Sequence, residues 1–239
     1  GEDDDAIRRL VNEKLPDLPQ IAPLGMFPNY NNAAIVLLGR LLEVVEGTTY
    51  REVIQHLQLD PLGMKTSTYD VAEVERGHFS LGYHSGPDGA ELQTPLYLPR
   101  SIEPAGLLWS NTREQLLWAR LHLADGVAPD GTRLLPAYTA QLMRRAHTPF
   151  VGTSSVQMGL TWFVQEVGEI RFAQHIGDTF GQHTTFVMAP DKGFGLVLLT
   201  NAEPGGASAA GEVLAAAARS YLGLGDDAAH VGIGRGIGF

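Results

Sequence analysis

The strongest constraint in this sequence is a change of period about two-thirds of the way along it. Residues 158–167, 170–176, 184–189 and 195–199 form four strand-like runs separated by short turn segments. The last two are joined by Pro190-Asp191-Lys192-Gly193, in which proline presets a turn and glycine supplies a positive φ. Gly195-Leu196-Val197-Leu198-Leu199 is apolar without a break, so it is predicted to be a central strand covered on both faces. After Gly205-Gly206, residues 207–222 are rich in alanine and predict a helix whose small side chains let it lie close on a sheet. An antiparallel sheet with a packed C-terminal helix is the unit this region can build.

Upstream the period is helical. Residues 3–15 predict a short helix, with Asp3, Asp4 and Asp5 as solvated caps and Pro16 as its stop. Residues 33–45 carry Ile35, Val36, Leu37, Leu38, Leu41, Leu42, Val44 and Val45 on nearly every face, which predicts a buried helix closed by Gly47. Thr48 or Thr49 opens a second helix over 50–57, ended by Asp60-Pro61-Leu62-Gly63, so the two make a helical hairpin. Short extended segments follow between residues 67 and 99, then helices over 113–123, capped by Asn111 or Thr112, and 137–145. The fold class is therefore α+β in three consecutive regions. These are a mainly helical 1–155, a sheet with its helix over 156–222, and a Gly-rich tail, 223–239, either mobile or docked on something beyond it.

Composition removes several function classes. The chain has 239 residues, 44% of them hydrophobic and 18% charged, which is enough for a sizeable core and too apolar for a disordered chain. A net charge of −10 and the absence of a basic stripe exclude a nucleic-acid footprint. Zero cysteines exclude disulfides, thiolate nucleophiles and thiolate metal sites without fixing a compartment. No run reaches the ~18 apolar residues of a membrane span, and the first residues carry no signal-peptide pattern.

Three segments place polar or glycine-rich elements at the edge of core structure: Phe27-Pro28-Asn29-Tyr30-Asn31-Asn32, Pro104-Ala105-Gly106-Leu107-Leu108-Trp109-Ser110, and His175-Ile176-Gly177-Asp178-Thr179-Phe180-Gly181. Each alone is a weak signal. In this order, with Pro61-Leu62-Gly63-Met64-Lys65 and Leu199-Thr200-Asn201 between and after them, the chain resembles the serine β-lactamase-like superfamily over residues 3–222. Within it the likeness is to the branch of class C β-lactamases, D,D-peptidases and family VIII esterases. The implied fold is β-lactamase/transpeptidase-like, and the implied chemistry is acyl-enzyme hydrolysis of a lactam, a peptide amide or an ester.

The resemblance implies roles residue by residue. Tyr30 takes the place of the tyrosine that moves the proton of the nucleophile or leaving group, a task for which a phenol with a pKa of ~10 needs cations beside it. Asn32 takes the place of the amide donor to the substrate. His175 fills the basic position of the third motif, Gly177 lets the strand backbone approach the substrate, and the N–H of Asp178 supplies half of an oxyanion hole. Gly106 and Ser110 match a signature that lines the site. Asp178 departs from the glycine or alanine of many relatives. Its carboxylate would oppose an oxyanion unless the side chain turns to the other face of the strand.

The nucleophile is the larger departure. The family serine sits in Ser-x-x-Lys upstream of Tyr-x-Asn. The lysines here are Lys14, Lys65 and Lys192, and three residues before them stand Val11, Leu62 and Ala189. No Gly-x-Ser-x-Gly elbow replaces the motif, since Ser85 is flanked two positions away by Tyr83 and Pro87. Only 29 residues precede Tyr30, so the fold is expected to be incomplete at its N-terminus, with the nucleophile on a missing upstream segment and the isolated chain inactive. A partner chain or a second copy would then cover the gap. The alternative is a non-catalytic binding or scaffold protein that kept the fold and lost the nucleophile.

Neither a cofactor nor a metal is expected. His175 with His183 and Asp178 lacks a metal-ligand spacing such as His-Glu-x-x-His. The other histidines, 56, 78, 84, 122, 147, 183 and 230, read as structural, and Trp109, Trp118 and Trp162 as core or cleft-lining. The family favours a periplasmic or extracellular setting and leaves a cytoplasmic one open.

Overall fold

The structure is a computed structural model that describes residues 3–150 and 155–233. By packing, the chain divides into two compact units, residues 1–79 with 95–114 and residues 80–94 with 115–239. This grouping differs from the three consecutive regions drawn from sequence character. Each unit is described by itself.

The first unit is helical. Helix α1, Ala6–Arg9, runs on through wider and tighter turns over Leu10–Lys14 and Leu15–Asp17. The acidic start is not a side-chain cap. Asp5 pairs with Arg8 and Asp3 with Arg9, each at 2.8 Å, and Asp4 reaches Arg100. Helix α2, Asn32–Glu46, begins where the Asn31 side chain accepts from the N–H groups of Ala33 and Ala34, and it ends at Gly47 with φ 71°. Helix α3, Tyr50–Ile54, starts in a Thr49–Glu52 capping box. The helical path continues through Gln55–Leu59 and α4, Asp60–Leu62, to a left-handed Gly63. It therefore outruns the predicted end at 57, with Pro61 taken up just after the wider turn over Gln55–Leu59. Helix α5, Val71–Arg76, capped by Asp70, lies where only extended chain was expected.

One expectation for α2 is overturned. Only Val36, Gly39 and Glu43 of this helix are buried, while Leu37, Leu38, Leu41, Leu42, Val44 and Val45 are exposed. The covered side is polar as well as apolar. Glu43 accepts from Arg40 at 2.9 Å and from the Tyr50 N–H at 3.1 Å. Gly39 lies so close to Pro104 that a Cβ there would stand 2.2 Å from its Cγ. A helix that is apolar all round needs cover all round, and among the described residues this unit supplies cover on one side.

The second unit is built on a six-stranded antiparallel sheet in the order β3 (Thr148–Pro149), β4 (Val156–Met158), β5 (Phe163–Val167), β6 (Ile170–Thr179), β7 (Gln182–Ala189), β8 (Phe194–Thr200). A second small sheet has the order β2-β1-β9. Here β1, Tyr83–Gly86, pairs antiparallel with β2, Gly89–Leu92, and parallel with β9, Ala202–Glu203. Helix α6, Thr112–Leu123, lays Ala119, Trp118 and Leu123 on the cluster of Trp162, Ala173, Phe186, Met188 and Val197 on one sheet face. Helix α7, Ala137–Met143, follows it. On the other face α8, Gly205–Leu222, packs Leu214 and Ala218 on Phe172, Val187 and Ala189. The antiparallel sheet with a packed C-terminal helix is thus the observed unit.

One sequence expectation changes here and another is narrowed. The apolar run on β8 is not central: among the described residues β8 is the last strand of the sheet, and Leu199 is exposed. The tail is docked through residue 233. A 3₁₀ turn over Gly225–His230 leads to buried Ala228, Val231 and Ile233, and Gln165 donates to the His230 carbonyl and accepts from the Gly232 N–H. The glycines at 234, 236 and 238 lie outside the described residues. No described helix is long and apolar enough to cross a membrane.

Candidate functional site

The residues singled out by sequence fall on two elements, one in each unit. Tyr30, 44% exposed, precedes the cap of α2, and Asn32, also exposed, is its first residue. Asn31, the unassigned middle residue of Tyr-x-Asn, is the one with a defined structural task, because its carboxamide oxygen satisfies two helix N–H groups at 2.9 and 3.3 Å.

His175, Gly177 and Asp178 share the second half of β6. The pairing of β5 with β6 ends at Phe163↔Gln174, whereas β7 pairs on to Thr179↔Gln182. From His175 onward the edge of β6 that faced β5 has therefore left the ladder among the described strands. An extended chain can be received along such an edge by backbone hydrogen bonds. Alternation along the strand puts His175 and Gly177 on one face and Asp178 on the other. A Cβ built on Gly177 would meet nothing within 4 Å, so this position opens onto space. The Asp178 side chain turns to the opposite face, where its Oδ1 lies 2.6 Å from His183 Nδ1.

His175 packs against Phe163 with ring centroids 5.3 Å apart, and its Nδ1 lies 2.5 Å from the Ile176 carbonyl oxygen. A carbonyl only accepts, so Nδ1 carries the hydrogen. Burial lowers the pKa of this ring, and the Ile176 carbonyl offsets part of that effect. A lowered pKa works against His175 as the cation that the tyrosine expectation calls for.

The closing glycine of His-x-Gly-x-Thr-x-Gly has its own cause. Gly181 sits in the two-residue turn between β6 and β7 with φ 69°, and a Cβ there would stand 2.3 Å from the Tyr83 nitrogen. Only glycine satisfies both the left-handed backbone and the close passage of β1. The Pro104–Ser110 segment belongs to the first unit. Ser110 Oγ lies 2.7 Å from Ser67 Oγ, Ser67 donates to Glu114 at 2.6 Å, and Trp109 exchanges backbone hydrogen bonds of 2.9 Å with Thr68. Leu107 within it holds φ 83°, a strained value for a bulky side chain. Gly106 is extended, at φ −179°, and needs no glycine for its backbone.

Two features were missed by sequence reasoning. Glu203 of β9 joins Asp178 and His183 in a three-residue cluster. The Asp178–His183 pair follows from the two-residue turn, but nothing local brings in Glu203. His122, read as structural, is fully buried between Trp118 and Trp162, and neither of its ring nitrogens has a hydrogen-bond partner. Burial, with nearby Arg144, lowers its pKa to about 4.

The mixed fold of helices and antiparallel sheet is of the β-lactamase/transpeptidase-like class. The Beta-lactamase family profile matches residues 2–219, and the chain belongs to that family. Penicillin-binding protein 4 of Amycolatopsis lactamdurans is 31% identical over 207 residues, covering 84% of this chain and 54% of that protein. The chain thus spans about half the length of this curated relative. Among solved structures, the penicillin binding protein from Bacillus halodurans superposes with a TM-score of 0.66 at 21% identity, over 82% of this chain and 59% of that one. The D-amino acid amidase of Ochrobactrum anthropi SV3 gives 0.60 at 23%, over 73% and 50%. At these identities the structural likeness concerns the fold.

Proposed function

We propose that this chain is the part of a β-lactamase-family serine hydrolase that carries Tyr-x-Asn and His-x-Gly, acting through an acyl-enzyme on a lactam, peptide amide or ester. The observation that carries this reading is the second half of β6. His175 and Gly177 share a face open at Gly177, the strand edge there has left the ladder, and the Asp178 carboxylate is turned to the opposite face. An oxyanion at the Asp178 N–H would thus be spared the charge that sequence alone placed beside it. Tyr30 serves as the proton-moving phenol and Asn32 as the amide donor. His175, whose pKa burial lowers, serves as a hydrogen-bonding or proton-accepting group rather than as a fixed charge.

The serine and lysine come from a segment outside this chain. None of its three lysines follows a serine at the required spacing. The exposed aliphatic residues of α2 support the same reading, since a face of this kind is ordinarily covered by protein.

The test adds back an upstream segment bearing Ser-x-x-Lys, either fused or co-expressed. The restored protein is expected to show burst kinetics on a chromogenic lactam or ester and a covalent adduct by mass spectrometry. Tyr30→Phe in that protein is expected to lower the acylation rate by roughly 10²–10⁴-fold. A restored protein that folds and forms no adduct overturns the hydrolytic reading in favour of a binding protein on the same fold.

A further inference from the structure

On the sheet face opposite His175, the end of the β6–β7 hairpin meets β9. Asp178 and His183 are cross-strand partners, and one ligand-capable atom from each of Asp178, His183 and Glu203 lies within 4.8 Å of the others. His183 is 4% exposed. Its ring is fixed from two sides, with Nδ1 2.6 Å from Asp178 Oδ1 and Nε2 2.9 Å from Thr185 Oγ1.

A neutral imidazole has one N–H, and both contacts are satisfied when Nδ1–H donates to Asp178 and Nε2 accepts from the Thr185 hydroxyl. In the other tautomer Nε2–H donates to Thr185 and the Nδ1 lone pair is free to ligate a cation beside Asp178. Two atoms nearby are unsatisfied. Glu203 Oε2 is covered and has no hydrogen-bond partner, and neither has Thr200 Oγ1, whose residue stands opposite His183 on β8. Buried polar atoms are nearly always paired, so each such exception calls for a cause. The covered Glu203 oxygen, beside His183 and Asp178, is the exception that a bound cation would remove.

We propose that Asp178, His183 and Glu203 bind a divalent transition-metal ion of the zinc class, through His183 Nδ1 and one oxygen of each carboxylate. One imidazole nitrogen with two carboxylates suits a borderline ion better than magnesium or calcium, which take oxygen ligands. Thr185 does what the outer partner of a metal-bound histidine does, fixing tautomer and ring direction through the other nitrogen. Asp178, partly exposed, is the ligand with room to adjust. The ion ties the end of the β6–β7 hairpin to β9. This inference stands apart from the hydrolytic reading, because it concerns the other face of β6 and is tested by binding.

Untagged protein freed of metal with a chelator is titrated with zinc by calorimetry and with cobalt by visible absorption. One equivalent per chain is expected, with proton release and an affinity that rises with pH through the histidine range. Glu203→Gln is expected to weaken binding by at least roughly tenfold. The double variant Asp178→Asn with Glu203→Gln, its fold checked by circular dichroism, is expected to lose the site. Unchanged zinc affinity in that double variant overturns the proposal, as does failure of the folded wild-type chain to take up one equivalent. Nitrogen NMR showing both His183 ring nitrogens protonated, and still protonated after zinc is added, also overturns it, in favour of a plain imidazolium–carboxylate pair.

Discussion

Helices α2 and α8 are of similar length and both rich in apolar residues, yet only one is enclosed. Helix α8 has a sheet beneath it, and Leu214, Ala215 and Ala218 are buried there together with Phe172 and Val187. Helix α2 buries Val36, Gly39 and Glu43 and leaves Leu37, Leu38, Leu41, Leu42, Val44 and Val45 exposed. Apolarity marks a surface as fit for burial, and whether it is buried depends on what the rest of the chain brings to it. In the sheet unit the partner strands lie close in sequence and form the layer. Around α2 the described residues provide a charged and aromatic platform, in which Glu103 is buried against Arg51 and Tyr50 stacks edge-on to Tyr69.

The sharpest way to break this comparison is a matched pair of truncations. Leu214→Ala removes a 1% exposed side chain from the packed helix and is expected to cost about 2–5 kcal/mol. Leu41→Ala removes a 55% exposed one and is expected to stay within about 0.5 kcal/mol. Urea unfolding of both variants reads the difference. A cost at Leu41 equal to that at Leu214 would mean that the α2 face is covered in solution.

A second test concerns charge in the sheet unit. His122 has its pKa lowered to about 4, so between about 6.5 and 4 the unfolded chain holds a proton that the folded chain refuses. Stability is therefore expected to be full above the ordinary histidine pKa and to fall as pH drops toward 4, by about 3 kcal/mol in all. Denaturation midpoints measured across that range, compared with those of His122→Phe, should show the slope in the wild type and its loss in the variant.

The smallest effect belongs to the start of α2. Asn31→Ala removes a side chain that accepts from two helix N–H groups and is expected to cost about 1 kcal/mol. Asn32→Ala, whose side chain has no capping task, is expected to leave stability nearly unchanged. Thermal melts of the two distinguish a capping asparagine from one available for substrate.

Much of the sheet unit was legible in the sequence because its signals are local. The Pro190–Gly193 turn, the strand runs and the alanine-rich helix each fall within a few residues of where they were expected, since period and turn chemistry act over short stretches. The single expected strand over 158–167 is split, because Gly159 presses so close to the Met143 carbonyl that a Cβ would stand 2.4 Å from it. The position of β8 was misjudged because an apolar run shows that a strand can be covered, not which strands lie beside it. The candidate residues were named by motif, but the lowered pKa of His175 was not legible there, because it follows from burial, with Phe163 packed against the ring.

By itself the sequence determined what local chemistry dictates: the absence of thiol chemistry, the helix caps and stops, the hairpin between β7 and β8, and the absence of Ser-x-x-Lys among 239 residues. The tertiary structure alone decided which apolar surfaces are enclosed, which way Asp178 faces, and that Glu203 stands with His183. These depend on segments far apart in the chain that meet only when the sheet closes. The loss of water and the approach of charges at that point are properties of the assembled neighbourhood and of no single stretch of residues.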